Sequence, residues 1–152
     1  MAFVLKVHGF AEGAFIPKPH TCDGENRSPA MEWSGAPRET RSYALIVDDP
    51  DAPGGTWNHW LLWDLSADLQ ALPEGVKPNS PGVNGNNDFG KRGYGGPCPP
   101  KGHGPHRYYF TLYAVDVPHV ALAEGAKRTD LDRALKSHIL AGAKYMGKYE
   151  RK

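Results

Sequence analysis

The side chains best suited to chemistry stand beside the ends of three predicted strands. Asp49 and Asp51 belong to the acidic turn Asp48–Pro53, in which three carboxylates fall within four positions. Neighbouring carboxylates repel one another unless cations or hydrogen-bond donors neutralise them. The segment therefore predicts either an acidic surface turn or a site that gathers donors around these carboxylates.

A second segment, Thr56–Trp60, places an imidazole between two tryptophans. Because side chains alternate across a strand, we expect Trp57 and His59 on one face and Trp60 on the other. Trp60 and Trp63 are typical of a buried core, whereas Trp57 is expected to wall a pocket beside His59.

The third segment is a stiff loop that leads into a strand. Five glycines and four prolines fall between Gly93 and Pro105, and aromatic residues follow. Glycine permits close approach of the backbone to a ligand, and proline reduces the entropy lost on ordering. His106 and Tyr108 are two positions apart at the strand start, so both are expected on one face.

The neighbours of these residues are expected to support the loops. Arg107 points away from His106 and is expected to pair with an aspartate. Asp51 would support the acidic turn or meet a cation on a ligand. His103, between two glycines, is expected to be an exposed loop residue, and Pro53 is a candidate for a cis peptide bond.

Together these segments predict a small polar cavity for an anion. Its expected lining consists of Asp49, Asp51, Trp57, His59, Pro100, His106 and Tyr108. His106 would contact the anion, with a hydroxyl from Tyr108. His59 and Asp49 would form a hydrogen-bonded pair, since a carboxylate can hold an imidazole as a donor on both sides.

The elements that must position this cavity are mostly strands. Apolar and aromatic runs bounded by turn residues predict strands at Phe3–Val7, Tyr43–Val47, Trp60–Leu65 and Tyr108–Val115. Their spacing, with 18 glycines and 14 prolines in the chain, predicts a mainly β fold of packed antiparallel sheets with long loops. Residues 1–152 are expected to form a single domain.

One short helix is predicted near the C-terminus. Thr129 and Asp132 resemble a capping box, and apolar residues at three- and four-residue spacings continue to Gly142. His138 on this stripe is expected to be a core or half-buried histidine, and Tyr145–Tyr149 to form a final strand.

Charge and composition reduce the number of function classes that fit this chain. A net charge of +1 gives no electrostatic basis for binding nucleic acid. No apolar run is long enough to span a membrane and no targeting segment is recognisable, so a cytoplasmic protein is expected. Cys22 and Cys98 are then expected to be thiols, unless two loops meet and a bridge forms.

Two other functions use the same side chains. Histidines and aspartates are ligands for zinc or iron, so a metal-dependent hydrolase is one alternative, although no paired-ligand motif anchors the set. The other is a protein-interaction module that grips a phosphorylated or carboxylate-bearing partner. The anion-binding interpretation itself needs no cofactor and no metal.

Several motifs resemble the phosphatidylethanolamine-binding protein family, in its bacterial Raf-kinase-inhibitor-like branch. They are TCDGEN at Thr21–Asn26, SPAMEW at Ser28–Trp33, DDPDAP at Asp48–Pro53, WNHWLLWDL at Trp57–Leu65 and GYGGPCPPKGHGPHRYYFTLYA at Gly93–Ala114. The resemblance extends from about Phe15 to Tyr145 in the order of the family.

This resemblance implies a fold and a ligand class. The fold would be a two-sheet antiparallel β arrangement with a short helix near the C-terminus. The seven cavity residues named above and Gly96 fall at the positions of the family's anion pocket, which implies that the Gly96 amide joins His106 in contacting the anion. The ligand implied is phosphate-like or a carboxylate, such as phosphorylethanolamine. The resemblance also implies a homodimer and a regulated partner protein, neither of which any pattern in this chain identifies.

Overall fold

The computed structural model describes residues 2–152 and is built mainly of strands. The strands are β1 (Val4–Val7), β2 (Met31–Ser34), β3 (Ser42–Asp49), β4 (Trp57–Ser66), β5 (Ala71–Leu72), β6 (Val83–Asn84), β7 (His106–Val115) and β8 (Ile139–Tyr149). The helices are a 3-10 turn at Lys18–His20 and α1 at Arg128–Leu135.

The strands form two antiparallel sheets. One sheet has three strands in the order β1-β2-β5, and the other has five in the order β6-β4-β3-β7-β8. The predicted mainly β fold with two antiparallel sheets and a helix near the C-terminus is therefore confirmed. No helix within residues 2–152 has the length and apolar character needed to cross a membrane.

Strand β3 is apolar along most of its length because both faces of its sheet are covered. Leu45 and Val47 pack into the core between the two sheets. Ala44 and Ile46 pack on the opposite face, in a smaller cluster with Leu131 of α1. A strand buried on both faces reads as a continuous hydrophobic run rather than an alternating one. We call these the inner and outer faces of the five-stranded sheet.

A β-bulge at the start of β4 changes the expected alternation. Val47 pairs with Trp60, but the next residue of β3, Asp48, pairs with Asn58. His59 is therefore the extra residue, and a bulge reorients the side chains on either side of it. The expectation that Trp60 faces away from Trp57 was wrong, because Trp60 packs in the inner core. Trp60 and Trp63 are both fully buried, as predicted.

Helix α1 is shorter than the apolar spacing predicted. Its N-cap is Lys127, whose backbone N–H donates to the Asp130 carboxylate at 3.2 Å, so the capping box does not begin at Thr129. The residues from Ile139 to Gly142 belong to β8 and pair with β7. Pairing satisfies their backbone groups along a neighbouring strand, and this outweighs a helical spacing of apolar residues.

The final strand and the histidine that precedes it agree in part with expectation. Strand β8 includes the predicted Tyr145–Tyr149 but begins six residues earlier, at Ile139. His138 is half-buried, as predicted, and its Nδ1 lies 2.8 Å from Oδ1 of Asp116.

Cys22 and Cys98 form a disulfide bond, so the expectation of free thiols was wrong. Their Cα atoms are 5.4 Å apart although the residues are 76 positions apart in sequence. The two loops meet through backbone hydrogen bonds, including one of 3.1 Å from the Cys22 N–H to the Pro97 carbonyl. A bridge between two loops that meet was the alternative left open by the sequence. The disulfide fixes the stiff loop to the segment after the 3-10 turn.

The cis peptide bond was also expected at the wrong proline. It lies between Ser80 and Pro81, not before Pro53. Pro53 lies in a turn in which the Gly55 N–H donates to the Ala52 carbonyl at 3.2 Å. A proline at the second position of such a turn is compatible with an ordinary trans bond.

Candidate functional site

The inner face of the five-stranded sheet ends in a cavity of about 210 Å³. Six predicted residues line it: Asp49, Trp57, His59, Pro100, His106 and Tyr108. The other lining residues were not predicted, and they are Ala52, Pro53, Phe89, Cys98 and Pro99. The cavity therefore forms where β3 ends, β4 and β7 begin, and the stiff loop closes over them.

A buried carboxylate–imidazole pair lies at the base of the cavity. Nδ1 of His106 is 2.6 Å from Oδ2 of Asp49, and both side chains are almost wholly buried. The carboxylate can only accept, so His106 donates from Nδ1. The other oxygen of Asp49 accepts from the Asp51 N–H at 2.7 Å. The expected partner of Asp49 was His59, and that expectation was wrong because His59 turns its Nδ1 to the Gly95 carbonyl while His106 reaches Asp49 from β7.

His59 instead makes a hydrogen bond to the stiff loop. Its Nδ1 lies 2.6 Å from the Gly95 carbonyl oxygen, and the Gly95 N–H donates to the His59 carbonyl at 2.9 Å. Burial lowers the pKa of His59, and the hydrogen bond to Gly95 only partly opposes this effect. A neutral ring that donates from Nδ1 has an acceptor at Nε2. His59 is thus suited to accept from a ligand hydroxyl or protonated oxygen.

Tyr108 provides a buried hydroxyl beside the Asp49 carboxylate. Its side chain is almost fully buried, and within residues 2–152 no group stands in full hydrogen-bond geometry with its hydroxyl, although the Asp49 carboxylate lies close to it. Burial and, secondly, the nearby charge of Asp49 raise the pKa of Tyr108, so it stays a phenol and a donor. A buried polar group without a partner is costly and therefore uncommon. The ring lies between His59 and His106, with centroids 5.2 and 6.4 Å away.

His103 is a residue of the site that the sequence did not predict. It is exposed, as expected, yet its Nδ1 lies 2.6 Å from Nε2 of His106. The two rings are tilted by 65° with centroids 4.8 Å apart. The GHGPH spacing was the available signal, because a turn between His103 and His106 brings their rings together. The result is a chain of a carboxylate and two imidazoles that runs from the core to the surface.

The mouth of the cavity is aromatic. Trp57 and Phe89 meet edge to face with ring centroids 5.5 Å apart, and Phe89 also contacts the His59 ring at 5.3 Å. Phe89 is 42% exposed, which is high for a large apolar side chain that contacts a cavity. It was missed because it lies in an asparagine-rich loop with no periodic pattern.

Asp51 was predicted to line the cavity but does not. Its two oxygens accept from Nε and Nη2 of Arg107 at 2.9 and 2.8 Å, in the fork geometry that suits a guanidinium and a carboxylate. Hydrogen bonds from Arg107 lower the pKa of Asp51 to about 2. The predicted pairing of Arg107 with an aspartate is confirmed, and Asp51 supports the acidic turn.

Gly96 also lies outside this cavity. Its N–H donates to Oδ1 of Asn26 at 2.8 Å, so the amide expected to contact an anion already has a partner. A Cβ at this position would overlap the carbonyl oxygen of His20. Glycine is therefore required here for close packing of two loops.

The side chains that a metal centre would need do not converge. Asp51 is held by Arg107 outside the cavity, and His59 is turned toward the Gly95 carbonyl. Within residues 2–152 there is no group of three or more histidine, cysteine or acidic side chains arranged to hold an ion.

Comparison with known proteins shows the family to which this chain belongs. A sequence profile of the phosphatidylethanolamine-binding protein family matches residues 6–150. The chain therefore belongs to this family, as the motifs suggested.

Relatives match along nearly the whole chain. A UPF0098 protein of Aquifex aeolicus is 46% identical over 146 residues, which cover 93% of this chain and 85% of the relative. A UPF0098 protein of Methanothermobacter thermautotrophicus is 45% identical, and the match covers 97% and 98% of the two chains. Among solved structures, CT736 of Chlamydia trachomatis, described as a homologue of the family, matches with a TM-score of 0.91 and 40% identity over 99% of both chains. YbcL of E. coli matches with a TM-score of 0.91 and 34% identity, also over 99% of both.

Proposed function

We propose that the protein binds a small anion, phosphate-like or carboxylate, in the cavity at the end of the inner face. The observation that carries this proposal is the Tyr108 hydroxyl, which is buried and has no partner among the described residues. His106 lies beside it, with Nδ1 held by Asp49 and Nε2 2.6 Å from Nδ1 of His103, so an anion that binds His106 must take the Nε2 position from His103. Hydrogen bonds to a charged group contribute about 1.5–3 kcal/mol each, so two or three of them support binding without a metal.

The walls indicate what is attached to the anion. Trp57, Phe89 and Pro100 give the cavity an apolar side opposite its polar base. An anion with a short organic group would fit a cavity with one polar and one apolar side better than a bare ion. Phosphorylethanolamine, suggested by the family name, has such a shape, and its ammonium could lie against the Trp57 and Phe89 rings by cation–π attraction.

The chemistry of the lining favours binding over turnover. The thiol that the sequence placed near His106 is not available as a nucleophile, because Cys98 is bonded to Cys22. Tyr108 is held as a phenol by burial. We therefore propose a non-enzymatic role, in which the bound anion belongs to a small molecule or to a partner protein.

A cytoplasmic location remains the expectation from the sequence, but the disulfide opposes it because such bonds form mainly in oxidising compartments. It is open to a direct test because the disulfide reports on the compartment. Alkylation of thiols in intact cells, followed by mass spectrometry of the peptides that contain Cys22 and Cys98, shows whether the bridge is present where the protein resides. Labelled thiols would agree with a reducing compartment.

The binding proposal is tested with Tyr108→Phe and a matched control, Tyr109→Phe. Tyr109 neighbours Tyr108 in sequence, but its hydroxyl accepts from Arg107 at 3.3 Å outside the cavity. We expect Tyr108→Phe to weaken the calorimetric affinity for inorganic phosphate or acetate about tenfold, while thermal stability is maintained because an unpaired buried hydroxyl is removed. Equal, measurable affinities in the two variants would contradict the proposal.

A further inference from the structure

The His103 imidazole stands at the one atom of His106 that an anion could use. His106 is 2% exposed, and its Nδ1 is held by Asp49 at 2.6 Å. Its Nε2 is the remaining polar atom, and the Nδ1 of His103 lies 2.6 Å from it. When both nitrogens of the His106 ring carry a hydrogen, the hydrogen on Nε2 can be offered to the lone pair of His103 Nδ1 or to an anion oxygen, but one straight hydrogen bond excludes the other.

The two bonds differ in how firmly they are held. Asp49 and His106 lie on neighbouring strands and are buried. His103 is exposed, between Gly102 and Gly104 at φ of +75° and +85°. A Cβ built on either glycine would meet nothing within 4 Å in the described chain, so both stand in open space. Glycine is free to leave and re-enter such backbone conformations, and therefore this loop can move without disturbing the core.

The loop also has anchored ends about which it can move. The Gly102 N–H donates to the Arg151 carbonyl at 2.8 Å, and the His103 N–H donates to the Pro100 carbonyl at 3.2 Å. Strand β7 begins at His106, directly after Pro105. A displacement limited to His103 and Gly104 is enough to withdraw the ring.

On this basis we propose that His103 is an internal competitor of the anion. Its imidazole fills the ligand position at His106 Nε2 in the empty protein, and the Gly102–Pro105 loop, which we call the latch, opens when an anion takes that position. The inference rests on the proposed anion binding and adds a residue that lowers affinity and selects ligands able to displace an imidazole. Ligands that accept a hydrogen bond from Tyr108 or donate one to His59, and do not reach His106, would leave the latch closed.

The test compares His103→Ala with His119→Ala by calorimetric titration of inorganic phosphate. His119 is an exposed loop histidine 3.5 Å from Asp64, far along the chain from the site. Removal of a competing hydrogen bond worth about 1 kcal/mol is expected to tighten phosphate binding about fivefold in His103→Ala and to leave His119→Ala unchanged. In the parent protein, titration with phosphate should also shift the ring nitrogen resonances of His103 toward those of a solvent-exposed histidine.

The outcomes separate the two proposals. Phosphate binding only by His103→Ala, or tighter binding by it, supports the latch. Equal binding by the parent and His103→Ala, or weaker binding by His103→Ala, overturns the latch and leaves the proposed anion site intact. If none of the three proteins binds phosphate, neither the parent nor His103→Ala nor His119→Ala, the latch and the anion site are both overturned. Thermal melting of each variant shows whether a loss of affinity reflects a loss of fold.

Discussion

Asp48 and Asp49 are adjacent in sequence but belong to two polar clusters of opposite character. On the outer face, Arg128 donates to Asp48 and to Asn58 at 2.9 and 2.8 Å, and to Asp132 at 2.8 Å. On the inner face, Asp49 holds His106, while the Tyr108 hydroxyl has no partner among the described residues.

The difference shows how a site can be told from a structural network on one sheet. The outer cluster uses its donors and acceptors within the protein, so it needs no ligand. In the inner cluster Asp49 and His106 are paired, whereas the buried Tyr108 hydroxyl near them is not. Buried polar groups are normally satisfied. Among the described buried side-chain atoms without a hydrogen-bond partner, which also include the Thr40 hydroxyl and Nε of Arg151, only the Tyr108 hydroxyl belongs to a residue that lines the cavity, and it points to the position that a ligand completes.

The largest effect is expected from the bridge that forms one wall of the inner site. In a variant with Cys22→Ser and Cys98→Ser, release of a loop that spans 76 positions should lower the free energy of unfolding by about 4 kcal/mol. Anion affinity should fall as well, because Cys98 lines the cavity. Denaturant unfolding of the oxidised parent and the variant measures the first effect, and an unchanged midpoint would contradict it.

Loss of the buried imidazole should be nearly as costly. His106→Ala leaves the Asp49 carboxylate buried without its imidazole partner, and we expect a loss of about 3 kcal/mol in the free energy of unfolding. Phosphate affinity should fall at least about tenfold. The matched control is His138→Ala, which breaks a half-exposed pair with Asp116 and should cost less than about 1 kcal/mol. Similar losses in the two variants would remove the contrast between a buried and an exposed pair.

Loss of the central donor of the outer cluster should lower stability without changing anion affinity. Arg128→Met keeps much of the apolar stem but leaves Asp48 and Asn58 without their donor, so a loss of about 2 kcal/mol in stability is expected. Anion affinity should stay within about twofold of the parent, because the two clusters lie on opposite faces of the sheet. Weakened phosphate binding in Arg128→Met, with the fold intact, would show that the clusters are coupled.

The smallest effect concerns acid stability. Hydrogen bonds from Arg107 lower the pKa of Asp51 to about 2 in the folded protein, whereas the pKa of an aspartate in the unfolded chain is about 4. The pair therefore stabilises the fold fully at pH values above about 4. That contribution is lost as pH falls from about 4 to about 2. Asp51→Asn should therefore show a weaker decline in stability over this interval than the parent, as followed by denaturant unfolding at several pH values. Parallel declines would argue against the pairing.

Local patterns were enough to predict β1, β3, β4, β7 and part of β8, but not the short strands β2, β5 and β6. They also predicted six of the residues that line the cavity. The two-residue spacing placed His106 and Tyr108 correctly on one face of β7, because alternation depends only on the strand itself. The pairing of Arg107 with an aspartate followed from the same alternation. The resemblance to the family then predicted that segments distant in sequence meet at one pocket.

The errors arose where structure depends on contacts between segments. The bulge at His59 is set by the register between β3 and β4, and no property of β4 alone reveals it. The partners of Asp49 and His59 depend on that register and on the position of the Gly95 carbonyl. The bridge from Cys22 to Cys98 and the contact of His103 with His106 depend on loop conformations, which leave no periodic signal.

A crystal structure of the protein grown with inorganic phosphate tests the central claim most directly. We expect a phosphate in the cavity with oxygens about 3 Å from the Tyr108 hydroxyl and from Nε2 of His106. Phosphate bound only at other surfaces, with the Tyr108 hydroxyl still unpaired at saturating phosphate, would contradict the account.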